Sequence, residues 1–163
     1  MFAHMPIIRD IIYGAVARGA DLNELCAKLD LSAYDLNDSD KKLDFKQAYL
    51  SWEFALKITS DPLLGLHIGE STNPSIMGLV GHLMQSSPTL KDAFQSVCQY
   101  GEVATDMFKY RMVQSREEIA LRFEPHSIWV ETSPTSARQA VEQAMAGTLH
   151  AFYLLGGKTV WPE

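Results

Sequence analysis

Apolar residues in the first third of the chain recur at helical spacing and are separated by explicit stop signals. The first stripe follows Pro6 and continues as far as Ala15, and Gly19 can end the helix that it predicts. Asp21 precedes a second stripe, and Glu24 follows it by three residues, the spacing of a helix N-cap with a returning carboxylate. The pattern therefore predicts two short helices separated by a break near Gly19.

A longer apolar stripe predicts a third helix in the middle of the first half. Asp44 and Gln47 mark its start, and the pair Asp61 and Pro62 marks its end, because a residue before proline avoids helical geometry. The residues expected to face inward are Phe45, Ala48, Tyr49, Trp52, Ala55, Leu56 and Thr59. A fourth helix is predicted after Thr89, with Asp92 completing the cap.

The period of the pattern changes from helical to alternating after residue 107. Phe108, Tyr110 and Met112 alternate with charged residues, a polar turn spans 114–117, and a second alternating run spans 119–124. These two runs predict an amphipathic β-hairpin. A helical period returns from Ala137 to Leu155. The predicted fold class is α+β: a helical N-terminal portion, a mixed segment containing an antiparallel β-hairpin, and a long C-terminal helix.

Length and charge narrow the possible functions. The chain has 163 residues, of which 47% are hydrophobic, enough for one sizeable core, so we expect residues 1–163 to form a single domain. Its formal net charge of -6 opposes attraction to the phosphate backbone of nucleic acids. The segment DLNELCAKLDLSAYDL, residues 21–36, has the leucine spacing of a DNA-reading helix-turn-helix. However, Asp35, Asp38 and Asp40 would repel phosphates there, so we interpret it as packed helices.

The sequence indicates a cytoplasmic protein. Arg9 and Asp10 interrupt the apolar N-terminal stretch before it could act as a secretory signal. Residues 71–90 lack charged side chains but are too polar for a membrane span, so we expect no membrane partner. Cys26 and Cys98 are far apart in sequence, and a disulfide framework is not expected.

Motifs for the common catalytic and cofactor chemistries are missing from the sequence. Gly78 and Gly81 are followed by no Gly-Lys-Ser/Thr and do not form a dinucleotide-binding fingerprint, so we interpret them as positions of close packing or unusual backbone geometry. The five histidines show no metal-ligand spacing, and no nucleophile elbow is present. We therefore expect no enzyme activity, metal or other cofactor.

A set of aromatic and polar-tipped residues is threaded through the apolar stripes and could orient a ligand in an apolar cavity. Taken singly, each is better explained by core packing with a satisfied polar tip. Taken together they are the candidate ligand-binding residues: Tyr49, Trp52, His67, His82, Gln85, Tyr100 and Trp129.

Three landmarks occur in an order that carries a family resemblance. They are DPLLGLHIGE at residues 61–70, MGLVGHLMQSSPTLKDAF at 77–94, and the amphipathic hairpin that follows. From about Ile7 to its C-terminus the chain resembles the N-terminal effector domain of AraC-type transcription regulators, in the group called arabinose-binding-like. In this resemblance the 77–94 segment is a structural junction at the entry to a helix beside the effector cavity.

The resemblance implies a regulator that senses a small organic effector and reads DNA through two helix-turn-helix units in a separate C-terminal domain. Because the chain ends at KTVWPE, where the resemblance leads us to expect another strand, we expect it to be truncated before that domain. The resemblance also implies a homodimer. The alternatives are a constitutive dimerisation module without a ligand and, less favoured, a small enzyme without a recognisable motif.

The C-terminal helix is the first candidate for a dimer surface. Its small residues Ala140, Ala144 and Gly147 would let a neighbouring helix approach closely. The larger side chains that would fill the flanks are Val141, Met145 and Leu149. The same stripe could equally be intramolecular core, because any amphipathic helix must bury its apolar face.

Overall fold

Eight α-helices, three short 3-10 turns and four strands form the described part of the chain, residues 1–116 and 118–156, in the computed structural model. The helices are α1 (Met5–Val16), α2 (Leu22–Lys28), α3 (Phe45–Thr59), α4 (Leu64–Gly69), α5 (Leu79–Gln85), α6 (Leu90–Tyr100), α7 (Ser127–Thr132) and α8 (Pro134–Gly156). The strands are β1 (Phe2–His4), β2 (Lys42–Asp44), β3 (Phe108–Gln114) and β4 (Ile119–Pro125). This arrangement confirms the α+β class and the long C-terminal helix.

Side-chain caps fix the starts of three helices where the sequence predicts them. In each, a side-chain oxygen accepts a hydrogen bond from the backbone N–H three residues later, satisfying an amide that has no partner within the helix. The pairs are Asp21 with Glu24 at 2.8 Å, Asp44 with Gln47 at 2.8 Å, and Thr89 with Asp92 at 3.1 Å. The three predicted N-caps are confirmed.

The segment that resembles a helix-turn-helix contains one helix rather than two. After α2 the chain forms a 3-10 turn over Asp35–Asn37, whose Leu36 is buried. The Lys41 ammonium donates a hydrogen bond to the Asp35 carboxylate, and Ser32 donates further ones; these contacts lower the pKa of that carboxyl. The expected second packed helix is therefore wrong, because local hydrogen bonds to Asp35 favour a turn.

The predicted hairpin is confirmed with a regular antiparallel register. β3 pairs with β4 so that Tyr110 lies opposite Phe123 and Met112 opposite Leu121. The Tyr110 ring centroid lies 5.0 Å from that of Phe108 and 5.8 Å from that of Phe123, in edge-to-face geometry. These aromatic rings form the inward face of the hairpin, as the alternation predicts.

A second, smaller sheet ties the N-terminus to distant parts of the chain. β1 pairs antiparallel with β2, and Ala3 also forms a bridge with Thr105. The Phe2 N–H donates to Asp106 Oδ1 at 2.6 Å, and the His4 N–H donates to the Ala104 carbonyl at 3.0 Å. Three-residue strands carry too little periodicity to be predicted from sequence.

Helix α4 packs directly on α8, and a glycine permits the close approach. A Cβ added at Gly65 would overlap the backbone carbonyl of Gln139. The Gly65 N–H donates to Gln139 Oε1 at 2.6 Å, so the buried amide of Gln139 caps the short helix. The sequence landmark at 61–70 therefore has a packing role at this junction.

The junction at residues 77–94 has the structural role that its glycines predict. Gly78 adopts φ +58°, and a Cβ added at Gly81 would overlap the Pro74 carbonyl. α5 thus lies against the 3-10 turn Pro74–Met77, before Thr89 begins α6. The interpretation of these glycines as backbone and packing positions is confirmed.

Two apolar clusters make up the core. The larger one is formed mainly by α1 to α4 with Trp129, and the smaller one by the 74–77 turn, α5, α6 and Ala151 of α8. Tyr110 of β3 packs against both clusters, and α8 contributes residues to each. A cavity lies at the boundary between the two clusters.

None of the helices in the described part of the chain has the length and apolar character that a membrane span requires.

Candidate functional site

A cavity of about 120 Å³ lies at the boundary between the two core clusters. α1 contributes Ile7, Ile8 and Ile11, α3 contributes Trp52, and the 3-10 turn contributes Met77. The remaining wall comes from β1, α5, α6, α7, the start of β3, α8 and the loops around Thr72 and Thr105. The cavity therefore touches most of the elements that build the fold.

The cavity wall is apolar apart from a few neutral polar side chains. The side chains with hydroxyl or amide groups are Thr72, Thr105, Tyr110, Gln143 and Thr148. None of the described residues that line the cavity is a lysine, arginine, histidine, aspartate or glutamate. An apolar wall with few polar groups is typical of small-molecule sites.

A partly buried carboxylate lies directly behind one part of this wall. Thr72 Oγ1 donates to Asp10 Oδ2 at 2.7 Å, and Gln143 Nε2 donates to the same oxygen at 2.8 Å. Burial raises the pKa of Asp10 above its ordinary value of 3.8, and the two hydrogen bonds offset part of that rise. His150 Nδ1 lies 3.0 Å from the Thr72 carbonyl oxygen, to which it can donate as the Nδ1–H tautomer. The cluster joins α1, α8 and the residue after α4.

Several polar groups of the wall are already saturated by protein partners. Thr105 Oγ1 donates to the Phe2 carbonyl at 2.8 Å and accepts from the Met107 N–H at 3.2 Å. The Trp129 indole N–H donates to Ser136 Oγ at 2.7 Å. These groups hold the wall together and have little capacity left for a ligand.

Trp52 differs from Trp129 in this respect. Its side chain is almost fully enclosed, at 2% exposure, yet its indole N–H makes no hydrogen bond with any described residue. Among the described residues, Glu142 Oε2 is the one fully buried side-chain N or O atom without a hydrogen-bond partner. The Trp52 nitrogen, which also has no partner, therefore keeps some accessible surface. Trp52 thus carries a donor without a partner among the described residues, and the residue lines the cavity.

Tyr110 contributes an aromatic side chain that remains neutral. Burial, and secondarily the neighbouring Cys98, raise the pKa of its phenol to about 12. No described residue forms a hydrogen bond with its hydroxyl. Tyr110 is thus a second neutral polar group in the wall.

The structure brings two of the seven candidate ligand-binding residues to this cavity. Trp52 and Trp129 line it. The other five lie elsewhere: Tyr49 packs beside Phe45, His67 bonds to Asp61, His82 and Gln85 are exposed on α5, and Tyr100 is exposed at the end of α6. The seven residues do not form one site, and ligand contact by each stays a prediction.

His67 belongs to a group of charges that links α1 to α4. Its Nδ1 lies 2.7 Å from Asp61 Oδ2, and the Arg18 guanidinium donates to the His67 carbonyl at 2.7 Å. Burial opposes ionisation of Asp61, but its hydrogen bonds from His67 and Leu63 and the nearby charges together lower the pKa of the carboxyl. This group holds two helices together at the surface.

The polar residues at the cavity wall were missed by sequence reasoning, although α8 carries a signal for one of them. Gln139 and Gln143 are four residues apart on the same side of α8 as Ala140 and Ala144, and both glutamines are buried. Polar residues repeating on an otherwise apolar helical stripe indicate buried hydrogen bonding. The partner Asp10 lies 133 residues from Gln143, and nothing local connects them.

The small-residue stripe of α8 faces the interior. Ala140, Ala144 and Gly147 all line the cavity, whereas Met145 and Leu149 are about half exposed. The small residues therefore match the intramolecular alternative. The larger apolar side chains of the same helix lie in a surface groove with Ile119 and Leu121 of β4.

Among the described residues, no three His, Cys, Asp or Glu side chains cluster as a metal-ligand set.

One family model matches the chain: the N-terminal arabinose-binding domain of AraC transcription regulators, over residues 19–162. No curated protein sequence matches it. The matched range contains α2 to α8, which supply much of the cavity wall.

Proposed function

The chain belongs to the family of N-terminal arabinose-binding domains of AraC transcription regulators, and from this premise we propose that its cavity is the effector site. The observation that supports this location most strongly is the indole N–H of Trp52, which has no partner among the described residues and belongs to a residue that lines this apolar cavity. Buried tryptophans normally find a hydrogen-bond partner, and a bound effector would supply one. A small organic molecule is the expected occupant.

Binding at this position would act on the relative arrangement of the two core clusters. The wall includes Ile8 and Trp52 from the larger cluster and Met84 and Phe94 from the smaller one. A molecule that contacts both clusters favours the arrangement in which both contacts are made, which is a population shift. Coupling to a C-terminal DNA-binding domain follows if that domain also distinguishes the two arrangements.

We further propose that the domain forms a homodimer in the cytoplasm. The surface groove between α8 and β4 supports self-association, because it gathers the exposed apolar side chains Met145, Leu149 and Ile119. This replaces the small-residue stripe as the first candidate interface. The same groove supports the alternative function, a constitutive dimerisation module whose internal cavity binds nothing.

A metabolite screen by melting temperature separates the two functions. A molecule that binds the folded state raises the melting temperature by mass action. We expect at least one stabilising metabolite for the wild-type chain and loss of its effect in Ala144→Leu, which extends a side chain into the cavity. Ala27→Leu, at an exposed position on α2, is the matched control and should retain the effect.

The outcomes assign the function. If no metabolite stabilises the wild type, the constitutive module replaces the sensor. If stabilisation is equal in Ala144→Leu and the wild type, the effector binds elsewhere. Chemical conversion of a stabilising metabolite would instead support an enzyme.

A further inference from the structure

We propose that the effector is a neutral, largely apolar molecule with one principal hydrogen-bond acceptor, and that Trp52 Nε1 donates to that acceptor. The inference rests on the proposed effector site and specifies the chemistry it accepts. The proposed effector class differs from a sugar, which the family description suggests. The reason is the limited hydrogen-bonding capacity of the cavity wall.

Charge complementarity excludes an anionic effector. No described residue in the cavity wall carries a positive charge, and a carboxylate or phosphate placed there would lose its hydration without gaining a cation. The Asp10 carboxyl directly behind Thr72 and Gln143 would add repulsion whenever it is ionised. A cationic effector would need the same carboxyl, but Thr72 and Gln143 stand between Asp10 and the cavity and already donate to one of its oxygens.

Hydrogen-bond capacity argues against a sugar. Every hydroxyl of a bound polyol must replace its bonds to water, because an unpaired buried hydroxyl is costly. Thr105 and the Trp129 indole are saturated by protein partners, and Thr72 donates to Asp10. Gln143 Nε2 is also committed to Asp10. The Trp52 N–H and the hydroxyls of Tyr110 and Thr148 remain without a partner among the described residues, too few for a ring with several hydroxyls.

The Trp52 indole determines which polar group the effector must carry. It can donate one hydrogen bond and accept none, so the group beside it must be an acceptor such as a carbonyl or ether oxygen. Most of the other side chains of the wall are hydrocarbon, including Ile8, Ile11 and Ala48. One acceptor on an apolar body satisfies both features.

The cavity volume sets the size of that body. About 120 Å³ is close to the roughly 150 Å³ of an engineered apolar protein cavity that binds benzene. A single ring or a short chain therefore fits without expansion of the core.

Four small molecules of related size test this chemistry directly. They are acetophenone, with a neutral carbonyl; ethylbenzene, with no acceptor; benzoate, with a charge; and L-arabinose, with several hydroxyls. Each is titrated into the ¹⁵N-labelled chain while the indole N–H resonances are recorded. Substitutions Trp52→Phe and Trp129→Phe assign the two indoles that line the cavity.

We expect acetophenone to move the Trp52 indole proton downfield and to bind about two- to tenfold more tightly than ethylbenzene, the value of one neutral hydrogen bond. The Trp129 indole, already bonded to Ser136, is the internal control and should show no comparable downfield displacement. Trp52→Phe keeps an aromatic ring and removes the donor, so the preference for acetophenone should disappear. Benzoate and L-arabinose should leave both resonances unchanged.

Different failures have different meanings. If L-arabinose or benzoate moves the Trp52 resonance, the cavity is an effector site but the neutral, apolar class is wrong. If ethylbenzene binds as tightly as acetophenone in the wild type, the role of the Trp52 donor is wrong. If none of the four perturbs a cavity residue, the proposed class is overturned, and the metabolite screen then decides the effector site independently. The wild-type spectra give these answers even if Trp52→Phe does not fold.

Discussion

At the scale of single residues, Asp10 and Trp52 differ in whether the polar group near the apolar cavity has hydrogen-bond partners in the described chain. Asp10 is separated from the cavity by the side chains of Thr72 and Gln143, both of which donate to it. Trp52 lies in the wall itself, and its N–H has no partner among the described residues. The first arrangement organises the wall, and the second leaves capacity for a ligand.

The partly buried carboxyl of Asp10 makes the free energy of unfolding depend on pH. Because burial raises its pKa in the folded chain above the ordinary 3.8, the folded state holds this proton more tightly than the unfolded state. The contribution of Asp10 therefore becomes less favourable as pH rises from below 3.8 through the raised folded pKa. Asp10→Asn, which cannot ionise, should be more stable relative to wild type at pH 7 than at pH 3.

Urea unfolding at both pH values measures this difference. Asp40→Asn, at an exposed position, controls for the loss of one negative charge. A free-energy difference between Asp10→Asn and wild type that does not change with pH would contradict the assigned burial effect.

At the scale of elements, the contact of α4 with α8 depends on the absence of a side chain at Gly65. The backbone of Gln139 occupies the space that a Cβ would need, and it cannot move without shifting a 23-residue helix. The hydrogen bond from the Gly65 N–H to Gln139 Oε1 also depends on the close approach of α4 to α8. Close packing and capping are therefore lost together when α4 moves away.

Gly65→Ala should destabilise the chain by about 1–3 kcal/mol or more, the usual cost of overpacking a core. Gly147→Ala is the matched control on α8, because its added Cβ would meet the Thr72 side chain at an ordinary 3.5 Å. Alanine also favours a helix interior by about 1 kcal/mol over glycine. Denaturant unfolding should show a large loss for the first variant and no loss for the second, and equal losses would contradict the packing argument.

Elements could be predicted from the sequence where their signals are local. The caps at Asp21, Asp44 and Thr89 depend on residues three positions apart, and the hairpin on alternation within a few residues. α4 and the pairing of β1 with β2 carry little local signal. They are fixed by contacts with residues that are distant in sequence, such as Gln139 and Thr105.

The candidate site was less predictable than the elements, because burial of a helix face is decided by its neighbours. On α5, Val80, Gly81 and Met84 face the core, so His82 and Gln85 are exposed. The sequence did not reveal this, since Leu79 and Leu83, which are also exposed, make the outer face of α5 look equally apolar.

At the scale of the whole molecule, the acidic surface sets what the domain can bind. A formal net charge of -6 opposes binding to the DNA backbone, and the segment that resembles a DNA reader forms a turn held by Asp35. We expect the 163-residue chain to show no sequence-specific binding to duplex DNA at physiological salt. Fluorescence anisotropy with labelled duplexes measures this, and tight, sequence-dependent binding would contradict it.

Self-association also belongs to this scale. If the groove between α8 and β4 is the dimer interface, Met145→Glu places a charge on its exposed apolar surface and should yield a folded monomer. Leu79→Glu, at a position that is 82% exposed on α5, is the matched control and should remain dimeric. Sedimentation equilibrium distinguishes the states, and a wild-type monomer at high micromolar concentration would rule out the dimer.

The cavity wall combines residues that the ribosome adds at widely separated times. Ala3 and Ala151 lie 148 residues apart in the sequence, and both line the same cavity. At about 5–20 residues per second, translation takes roughly 7–30 s to pass from one to the other. Until then α8 is incomplete and the cavity has no closed wall. A nascent chain that has not yet reached Ala151 therefore cannot form the complete cavity, and a molecule that needs the whole wall can bind only after that point.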